Sequence, residues 1–393
     1  MGNPFRVVCM KILRFSVWLG ALVVVVAGAV GQTAPAAQQL AAPQLAFLDT
    51  DIGDDIDDAF ALALILQSPE LKLVGITTTF GDTDLRAKLL YRYLGSNCRF
   101  NVNVIPGVPT PHENVFTQAA YARGFANPAC GTVSFHASSM ADEERLKKQR
   151  KQEAAKWKAD QAQMMASLAH LSQQRAAHDA AGFLLEQIKA HPGEITLIAI
   201  GPLFNIQAAI EKDPETFRKL KRVVLMGGSI YRGYDGPSVG GKPGEHRPPD
   251  AEWNISRDPA GLRALLASGV PVFMMPLDST QIHLETKERE EIFAHGSRLT
   301  DQLTLLYHQW KAGTEGHPDA PTLFDPVAVT YAFRPDLCPA TPMRLTVDDK
   351  GFTLPVQGAA NAEVCLKSDE KGFLELLLER ITQEPALTAG QRP

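Results

Sequence analysis

The sequence has little of what defines several large classes of protein. Only five of its 393 residues are cysteines, and none of their spacings is that of a zinc site. The net charge is −5 and no basic stripe stands out, so a nucleic acid polymer is not an expected partner. No GxGxxG motif opens a helix after the first predicted strand, and neither GxxxxGKS nor GxxxxGKT occurs anywhere. Dinucleotide and nucleoside triphosphate sites are therefore poorly supported.

Long apolar runs are confined to the N-terminus. Basic residues precede an uncharged apolar stretch over 15–30, which ends in small residues that suit cleavage. We expect a signal peptide over 1–30, a flexible mature N-terminus over 31–43, and export to the periplasm or the extracellular space. No stable membrane span is expected after cleavage, because no other stretch is apolar enough to cross a bilayer. An uncleaved anchor is the alternative.

Cleavage of the signal peptide would also remove Cys9. The remaining cysteines are even in number, which suits disulfides in an oxidising compartment. Sequence order predicts the pairs Cys98–Cys130 and Cys338–Cys365, and the second pair would close two predicted strands, 343–347 and 352–356. Four free thiols are the alternative.

Apolar, β-rich runs alternate with helical patterns along the rest of the chain. The runs are continuous, which is typical of parallel strands buried on both faces, and they cover 45–49, 73–79, 102–105, 195–200, 223–226 and 270–275. Predicted helices between them include 57–67, 84–94, 179–190, 203–211 and 259–267. We therefore predict an α/β fold with a doubly wound, mostly parallel central sheet, in one domain over 44–385. A charged helical insertion is predicted at about 138–175.

The most unusual segment is acidic. Six aspartates fall within ten residues, between an apolar run that ends at Leu48 and another that begins at Ala59. Two carboxylates about 4 Å apart repel by roughly 1 kcal/mol in water and by several times more at a protein-like dielectric constant. Such crowding indicates a bound cation, and oxygen ligands select a hard one such as Ca²⁺ or Mg²⁺. An acidic surface loop that caps a helix is the alternative, but capping needs only one or two aspartates.

Seven ordered blocks resemble the inosine-uridine-preferring nucleoside hydrolase family. The first block is Asp-Thr-Asp-x-Gly at 49–53, followed by Asp-Asp-Ala-Phe-Ala-Leu at 57–62. The other blocks lie at 76–82, 193–205, 226–228, 251–255, 276–278 and 324–329. The resemblance implies that family's fold and hydrolysis of the N-glycosidic bond of a ribonucleoside to free base and ribose. It also implies Ca²⁺ as the cofactor.

The resemblance further implies roles for individual residues. Asp51 matches a metal ligand that is also the general base, which would activate a Ca²⁺-bound water. The other implied metal ligands are Asp58, Asp325 and the backbone carbonyl of Phe204. The implied ribose-binding residues are Asp57, Asp82, Glu252 and Asn254. The last two are expected to point the same way from an extended segment.

The acidic segment is two residues longer than the form common in the family. Asp54 and Asp55 therefore have no certain counterpart. Alignment from the helix side selects Asp57 and Asp58, whereas alignment from the strand side favours Asp55. We prefer the helix side because Ala-x-Ala-Leu follows it directly.

A second departure concerns the base. Phe324 stands where several family members carry a histidine thought to protonate the leaving base. His246, His317 and Tyr231 are the candidates for a replacement acid. The glycine- and proline-rich loop 230–250 also lacks the asparagine usual in the family. Ribose handling is therefore expected to be preserved, and base handling is not.

Two other functions stay open on the sequence alone. A DxD phosphohydrolase would use Asp49 as its nucleophile, although the lysine expected downstream is not clearly present. A non-catalytic, Ca²⁺-dependent ribosyl- or sugar-binding protein on the same fold would account for Phe324. The sequence is compatible with a homo-oligomer and does not identify the preferred base.

Overall fold

Strands and helices alternate through the described part of the chain. The computed structural model describes residues 42–99, 101–111, 116–123, 178–234, 248–314 and 319–385. In those residues the strands are β1 (Gln44–Thr50), β2 (Leu71–Thr78), β3 (Val104–Pro106), β4 (Thr196–Ala199), β5 (Arg222–Met226), β6 (Val272–Met275), β7 (Ala340–Met343), β8 (Leu345–Val347), β9 (Thr353–Pro355) and β10 (Ala362–Cys365).

The helices of the described residues fall between these strands, after β6 and at the end. They are α1 (Asp57–Gln67), α2 (Thr83–Ser96), α3 (Ala119–Ala122), α4 (Ala180–Ala190), α5 (Phe204–Lys212), α6 (Pro214–Phe217), α7 (Trp253–Arg257), α8 (Pro259–Ala267), α9 (Leu277–Thr280), α10 (Thr286–His295), α11 (Arg298–Gly313), α12 (Phe324–Phe333) and α13 (Glu370–Ile381). A 3₁₀ turn, Pro335–Leu337, follows α12.

The central sheet has eight strands in the order β3-β2-β1-β4-β5-β6-β10-β7. Neighbouring strands are parallel except for β10 and β7, which are antiparallel. The predicted α/β fold with a mostly parallel central sheet is confirmed. The chain first moves outward from β1 to β3 and then returns to add β4 on the other side. Ligands of such sheets bind beyond the carboxyl ends of the strands at this reversal.

Helices on the two faces of the sheet build two apolar cores. One core contains α1 and α12, and the other contains α4, α5 and α8. All but one of the eleven residues of α1 are buried, because the helix is apolar on every side apart from its first turn. Burial of α1 also draws the acidic segment before it into the protein.

The edge of the sheet near the C-terminus was not predicted from the sequence. Strand β7 is short, partly exposed and contains Pro342, which suits an edge strand that lacks one hydrogen-bond donor. The predicted strand pair is present as the two-stranded sheet β8–β9, with Leu345 opposite Pro355. A disulfide joins Cys338, two residues before β7, to Cys365 at the end of β10.

Several sequence predictions lie outside the described residues. They are the signal peptide over 1–30, most of the flexible N-terminus, the insertion at 138–175, and Cys130 as the partner of Cys98. These stay predictions. Within the described ranges, no helix is both long enough and apolar enough to cross a membrane.

Candidate active site

A cavity of about 370 Å³ opens beyond the carboxyl ends of β1, β4 and β5. Seven of the residues that line the cavity are acidic, and we call them its acidic end: Asp51, Asp54, Asp55, Asp57, Asp58, Glu252 and Asp325. We call its four aromatic lining residues, Tyr234, Trp253, Trp310 and Phe324, the aromatic end; Thr117 and Thr314 also line the cavity. A small ligand with one polar and one aromatic part would match this division.

Three carboxylates meet at the acidic end. Asp57 and Asp58 occupy the first turn of α1, and Asp325 occupies the first turn of α12. One oxygen from each lies within 4.8 Å of the other two, and all three residues are buried. We call these three residues the carboxylate cluster. The Asp325 backbone N–H donates to Asp57 Oδ2 at 3.2 Å, and the Thr50 hydroxyl donates to Asp58.

The electrostatics of the carboxylate cluster fit a cation. In the protein chain alone, burial raises the pKa of Asp57, Asp58 and Asp325 well above the usual range of a carboxyl. Repulsion from neighbouring aspartates adds to this shift. The ionised cluster therefore needs positive charge, and buried oxygen ligands at this spacing suit a hard ion.

Asp51 directly follows β1 and is only 8% exposed, at the edge of the cavity. A Cβ atom on Gly201 would come within 2.8 Å of Asp51 Oδ1, so this close approach requires glycine. Burial raises the pKa of Asp51 to about 7, and the positive charge of Arg86 opposes the shift.

Glu252 and Asn254 line the cavity, but the local structure differs from the prediction. Their segment is not extended, because Glu252 caps the N-terminus of α7 and Asn254 lies inside that helix. The Glu252 carboxylate accepts the backbone N–H groups of Asn254 and Ile255, as well as that of Gly228 at 3.0 Å. The helix start thus fixes both side chains beside the cavity. Burial raises the pKa of Glu252 to about 7.

Two predicted site residues lie outside the wall of the cavity. Asp82 caps α2 by accepting the backbone N–H of Leu85 at 3.0 Å. Phe204 is the first residue of α5, beside Asn205, which donates to both the Asp49 carboxylate and the Thr78 carbonyl. The roles of Asp82 and of the Phe204 carbonyl remain predictions.

Of the three candidate acids for the leaving base, only Tyr231 lies in the described residues. Tyr231 does not line the cavity: it is 60% exposed and borders a separate groove beside Asp278, which accepts its backbone N–H. The neighbouring Tyr234 does line the cavity, where its ring packs edge-on against Phe324 and its hydroxyl accepts the Trp253 N–H at 2.9 Å. The role of Tyr231 as the acid stays a prediction. His246 and His317 lie outside the described residues.

Sequence analysis missed two kinds of residue at the site. One is the aromatic end of the cavity: Trp310 lies outside every motif, and Trp253 lies in the block 251–255 but was given no role. The other is Arg86, which is 2% exposed and reaches the acidic segment from α2. A signal was present, because Arg86 lies between Leu85 and Leu89 on a face of α2 that is otherwise apolar. A basic residue in that place predicts a buried partner.

Comparison with known proteins leads to the same family as the sequence blocks. The chain matches the family described as inosine-uridine preferring nucleoside hydrolase over residues 46–375. It is 28% identical to uridine nucleosidase 1 of Arabidopsis thaliana over 299 residues, 74% of each chain. It is also 28% identical to the non-specific ribonucleoside hydrolase RihC of Escherichia coli over 350 residues, 85% of this chain and 96% of that one. The solved plant nucleoside hydrolase PpNRh1 shares the fold, with a TM-score of 0.64, 23% identity, and coverage of 87% of this chain and 100% of that one.

Fold and match together define the class of protein: an enzyme that hydrolyses N-glycosidic bonds, an N-ribohydrolase. Within that class, the chain belongs to the inosine-uridine-preferring nucleoside hydrolase family. The relatives differ in the substrates that their names state, so the family alone does not assign a base to this chain.

Proposed function

We propose that the protein hydrolyses ribonucleosides to free base and ribose, with Ca²⁺ as its cofactor. The observation that carries this proposal is the buried carboxylate cluster beside Asp51, at the polar end of a cavity of about 370 Å³. That volume lies in the range of small-molecule sites. The aromatic end would take the base, and the acidic end would take the ribose.

Asp51, Asp58, Asp325 and the backbone carbonyl of Phe204 would hold the ion. Buried carboxylates with raised pKa values support this assignment, because a divalent cation would offset their mutual repulsion. When bound, Ca²⁺ would supply positive charge near the ribose hydroxyls and would favour ionisation of a nearby water.

The protein's own residues would carry out the remaining chemistry. Asp51 would take a proton from the attacking water while the water oxygen bonds to C1′. The bond from C1′ to the base nitrogen breaks, and its electron pair leaves with the base. The surrounding carboxylates would stabilise the oxocarbenium-like charge on the sugar. Asp57, Glu252 and Asn254 would orient the ribose hydroxyls.

Protonation of the leaving base has no assigned donor among the described residues. Phe324 presents a ring that packs on Tyr234, and a phenylalanine ring cannot donate a proton. His246 and His317 therefore stay candidates for this role. We also propose that the protein is exported, which the Cys338–Cys365 disulfide supports because structural disulfides persist in oxidising compartments.

Release of ribose from inosine and uridine, measured with a reducing-sugar assay, tests the proposal. We expect release that EDTA abolishes and added Ca²⁺ restores, and we expect Asp325→Asn to lack it. A protein that binds ribosides with Ca²⁺ but releases no ribose would be the non-catalytic alternative. Release of phosphate from phosphate esters would indicate the phosphohydrolase, although Asp49 is buried and accepts bonds from Thr77 and Asn205.

A further inference from the structure

Arg86 is the largest side chain among those that are almost fully buried, with 2% exposure. A buried guanidinium is unfavourable unless hydrogen bonds and opposite charge compensate for lost water. Arg86 lies on α2, and the hydrogen-bond partners of its guanidinium lie in other segments, which follow β1 and β2. Its contacts therefore bear on the geometry of the candidate active site.

The guanidinium binds main-chain carbonyls more than it binds carboxylates. Nη1 donates to the Asp51 carbonyl and, at 3.0 Å, to the Ile52 carbonyl. Nε donates to the Phe80 carbonyl at 2.8 Å. Nη2 forms an ion pair with Asp54 at 2.6 Å, but the Asp54 side chain is 48% exposed. An ion pair this exposed contributes little, so the main-chain contacts are the substantial ones.

We call residues 51–56 the acidic loop. The next carbonyls of this loop accept from the segment 116–118. The Gln118 backbone N–H donates to the carbonyl of residue 53 at 3.0 Å, the Thr117 hydroxyl donates to that of residue 54 at 2.7 Å, and the Gln118 side chain donates to that of residue 55. Each carbonyl from 51 to 55 thus has a donor outside the loop. The acidic side chains of the loop are left to line the cavity.

Packing reinforces this arrangement. The guanidinium carbon of Arg86 lies 5.1 Å from the centre of the Phe116 ring. The same ring closes over Gly53, where a Cβ atom would come within 2.7 Å of it and where φ is +129°. The guanidinium of Arg86 and the ring of Phe116 therefore both hold the turn of the acidic loop.

We propose that Arg86 is a positioning residue that holds the acidic loop so that Asp51 faces the cavity. A lysine would replace this function only in part, because its single ammonium nitrogen cannot reach all of the carbonyls that the planar guanidinium binds. The inference rests on the proposed function, since it concerns the placement of Asp51 for Ca²⁺ and for water.

Arg86→Ala and Arg86→Lys test the inference through two measurements, the Kd for Ca²⁺ by isothermal titration calorimetry and kcat/KM for inosine. Residues that orient a metal ligand typically affect metal affinity or activity by about 10–100-fold, and we expect a loss of that size in both measurements. Arg86→Lys should lose part of it. If Arg86→Ala does not fold, Arg86→Lys carries the test alone.

Arg222→Ala is the matched control. Arg222 also donates to a main-chain carbonyl, that of Ala332 at 2.7 Å, and lies 5.6 Å from the Phe273 ring centre. It begins β5, at the opposite end of the strands from the cavity. Its loss should lower the melting temperature while leaving the Kd for Ca²⁺ and kcat/KM unchanged. Asp54→Asn, which removes only the exposed ion pair, should change both by less than about fivefold.

The inference is overturned if Arg86→Ala lowers the melting temperature as Arg222→Ala does but keeps the wild-type Kd and kcat/KM. It is also overturned if Asp54→Asn reproduces the full loss, because the ion pair rather than the main-chain contacts would then matter. In both cases the wild type still binds Ca²⁺ and cleaves nucleosides, so the proposed function stands. A wild type that binds no Ca²⁺ and cleaves no nucleoside refutes the proposed function and this inference together.

Discussion

The two ends of the cavity are built in different ways. The acidic end consists of buried carboxylates on the first turns of α1 and α12 and at the end of β1. The aromatic end consists of larger rings, of which Trp253, Trp310 and Phe324 also stand on helices. Trp253 is 44% exposed, and Tyr234 and Phe324 are half-buried. The two ends thus differ in burial: the carboxylates proposed as metal ligands and general base are buried, whereas three of the four rings keep exposed surface.

This difference separates two parts of one proposed reaction. Handling of the ribose depends on atoms that the core holds in place, and the family match covers them. Handling of the base would depend on side chains that keep exposed surface, where substitutions usually cost little stability. A fold can therefore keep the chemistry at the sugar while its choice of base changes.

The largest expected effect is at the acidic end. Asp51→Asn should lower kcat by about 10²–10⁴-fold, because it removes the proposed general base without changing shape. Asp325→Asn should in addition abolish bound Ca²⁺, measured by metal analysis after dialysis. Asp54→Asn is the control, because it also removes one negative charge from the same loop. We expect it to change kcat and bound Ca²⁺ only mildly. If Asp54→Asn matches Asp51→Asn in both measurements, the alignment of the acidic loop from the helix side is wrong.

The next effect concerns the aromatic end and the leaving group. Without a histidine at position 324, p-nitrophenyl riboside should be cleaved much better than inosine or uridine, since its leaving group needs no protonation. The ratio of the two kcat/KM values should approach the rate enhancement that a general acid supplies, about 10²–10⁴-fold. Near-equal values, with a large loss on inosine alone for His246→Ala or His317→Ala, would show that a loop supplies the acid after all.

The sequence predicted the acidic end better than the aromatic end for physical reasons. Helix α1 was predicted within its observed bounds because a fully buried helix has no polar side to obscure its pattern. The carboxylate cluster includes Asp57 and Asp58, the two residues that alignment from the helix side selects, and their separate roles stay predictions. By contrast, Tyr231 and Tyr234 lie in a loop without periodicity, so nothing in the sequence indicated which of the two faces the cavity.

Two other shortfalls have a local cause. Glu252 was placed on an extended segment because α7 has only five residues, too few to show a helical pattern. Arg86 was overlooked because a single arginine in a helix usually lies at the surface, and only its tertiary partners explain its burial.

Without bound metal, the protein should become less stable as pH rises from acidic to neutral. Burial raises the pKa of Asp51 and of Glu252 to about 7, above their values of about 4 in the unfolded chain. The folded protein then binds protons more tightly, so this contribution to stability is present at low pH and is lost as pH rises through about 7. In EDTA, the melting temperature should fall between pH 5.5 and pH 8, and saturating Ca²⁺ should weaken that trend. A melting temperature in EDTA that rises across the same range would contradict the burial of these groups.

A smaller effect is expected from the tyrosine at the aromatic end. Tyr234→Phe removes the hydroxyl that accepts the Trp253 N–H beside Glu252. Loss of one such hydrogen bond typically costs about 1 kcal/mol, which corresponds to about a fivefold change in kcat/KM. Tyr231→Phe is the matched control and should leave kcat/KM unchanged, because Tyr231 lies outside the cavity. If Tyr234→Phe and Tyr231→Phe change kcat/KM equally, the hydroxyl of Tyr234 has no specific role and only its ring matters.

Removal of the Cys338–Cys365 disulfide, neither of whose cysteines lines the cavity, should have the smallest effect on catalysis. Cys338 and Cys365 are separated by 27 residues in the sequence. Removal of a disulfide that closes a loop of this length is expected to lower the free energy of unfolding by about 3 kcal/mol. The double variant Cys338→Ser/Cys365→Ser should therefore unfold at lower denaturant concentration, while kcat/KM for inosine stays unchanged. Each single variant should be destabilised about as much as the double variant, since one cysteine alone cannot close the loop. A fall in kcat/KM in a fully folded double variant would show that the C-terminal edge of the sheet, through β10 and β6, helps to hold the acidic end in place.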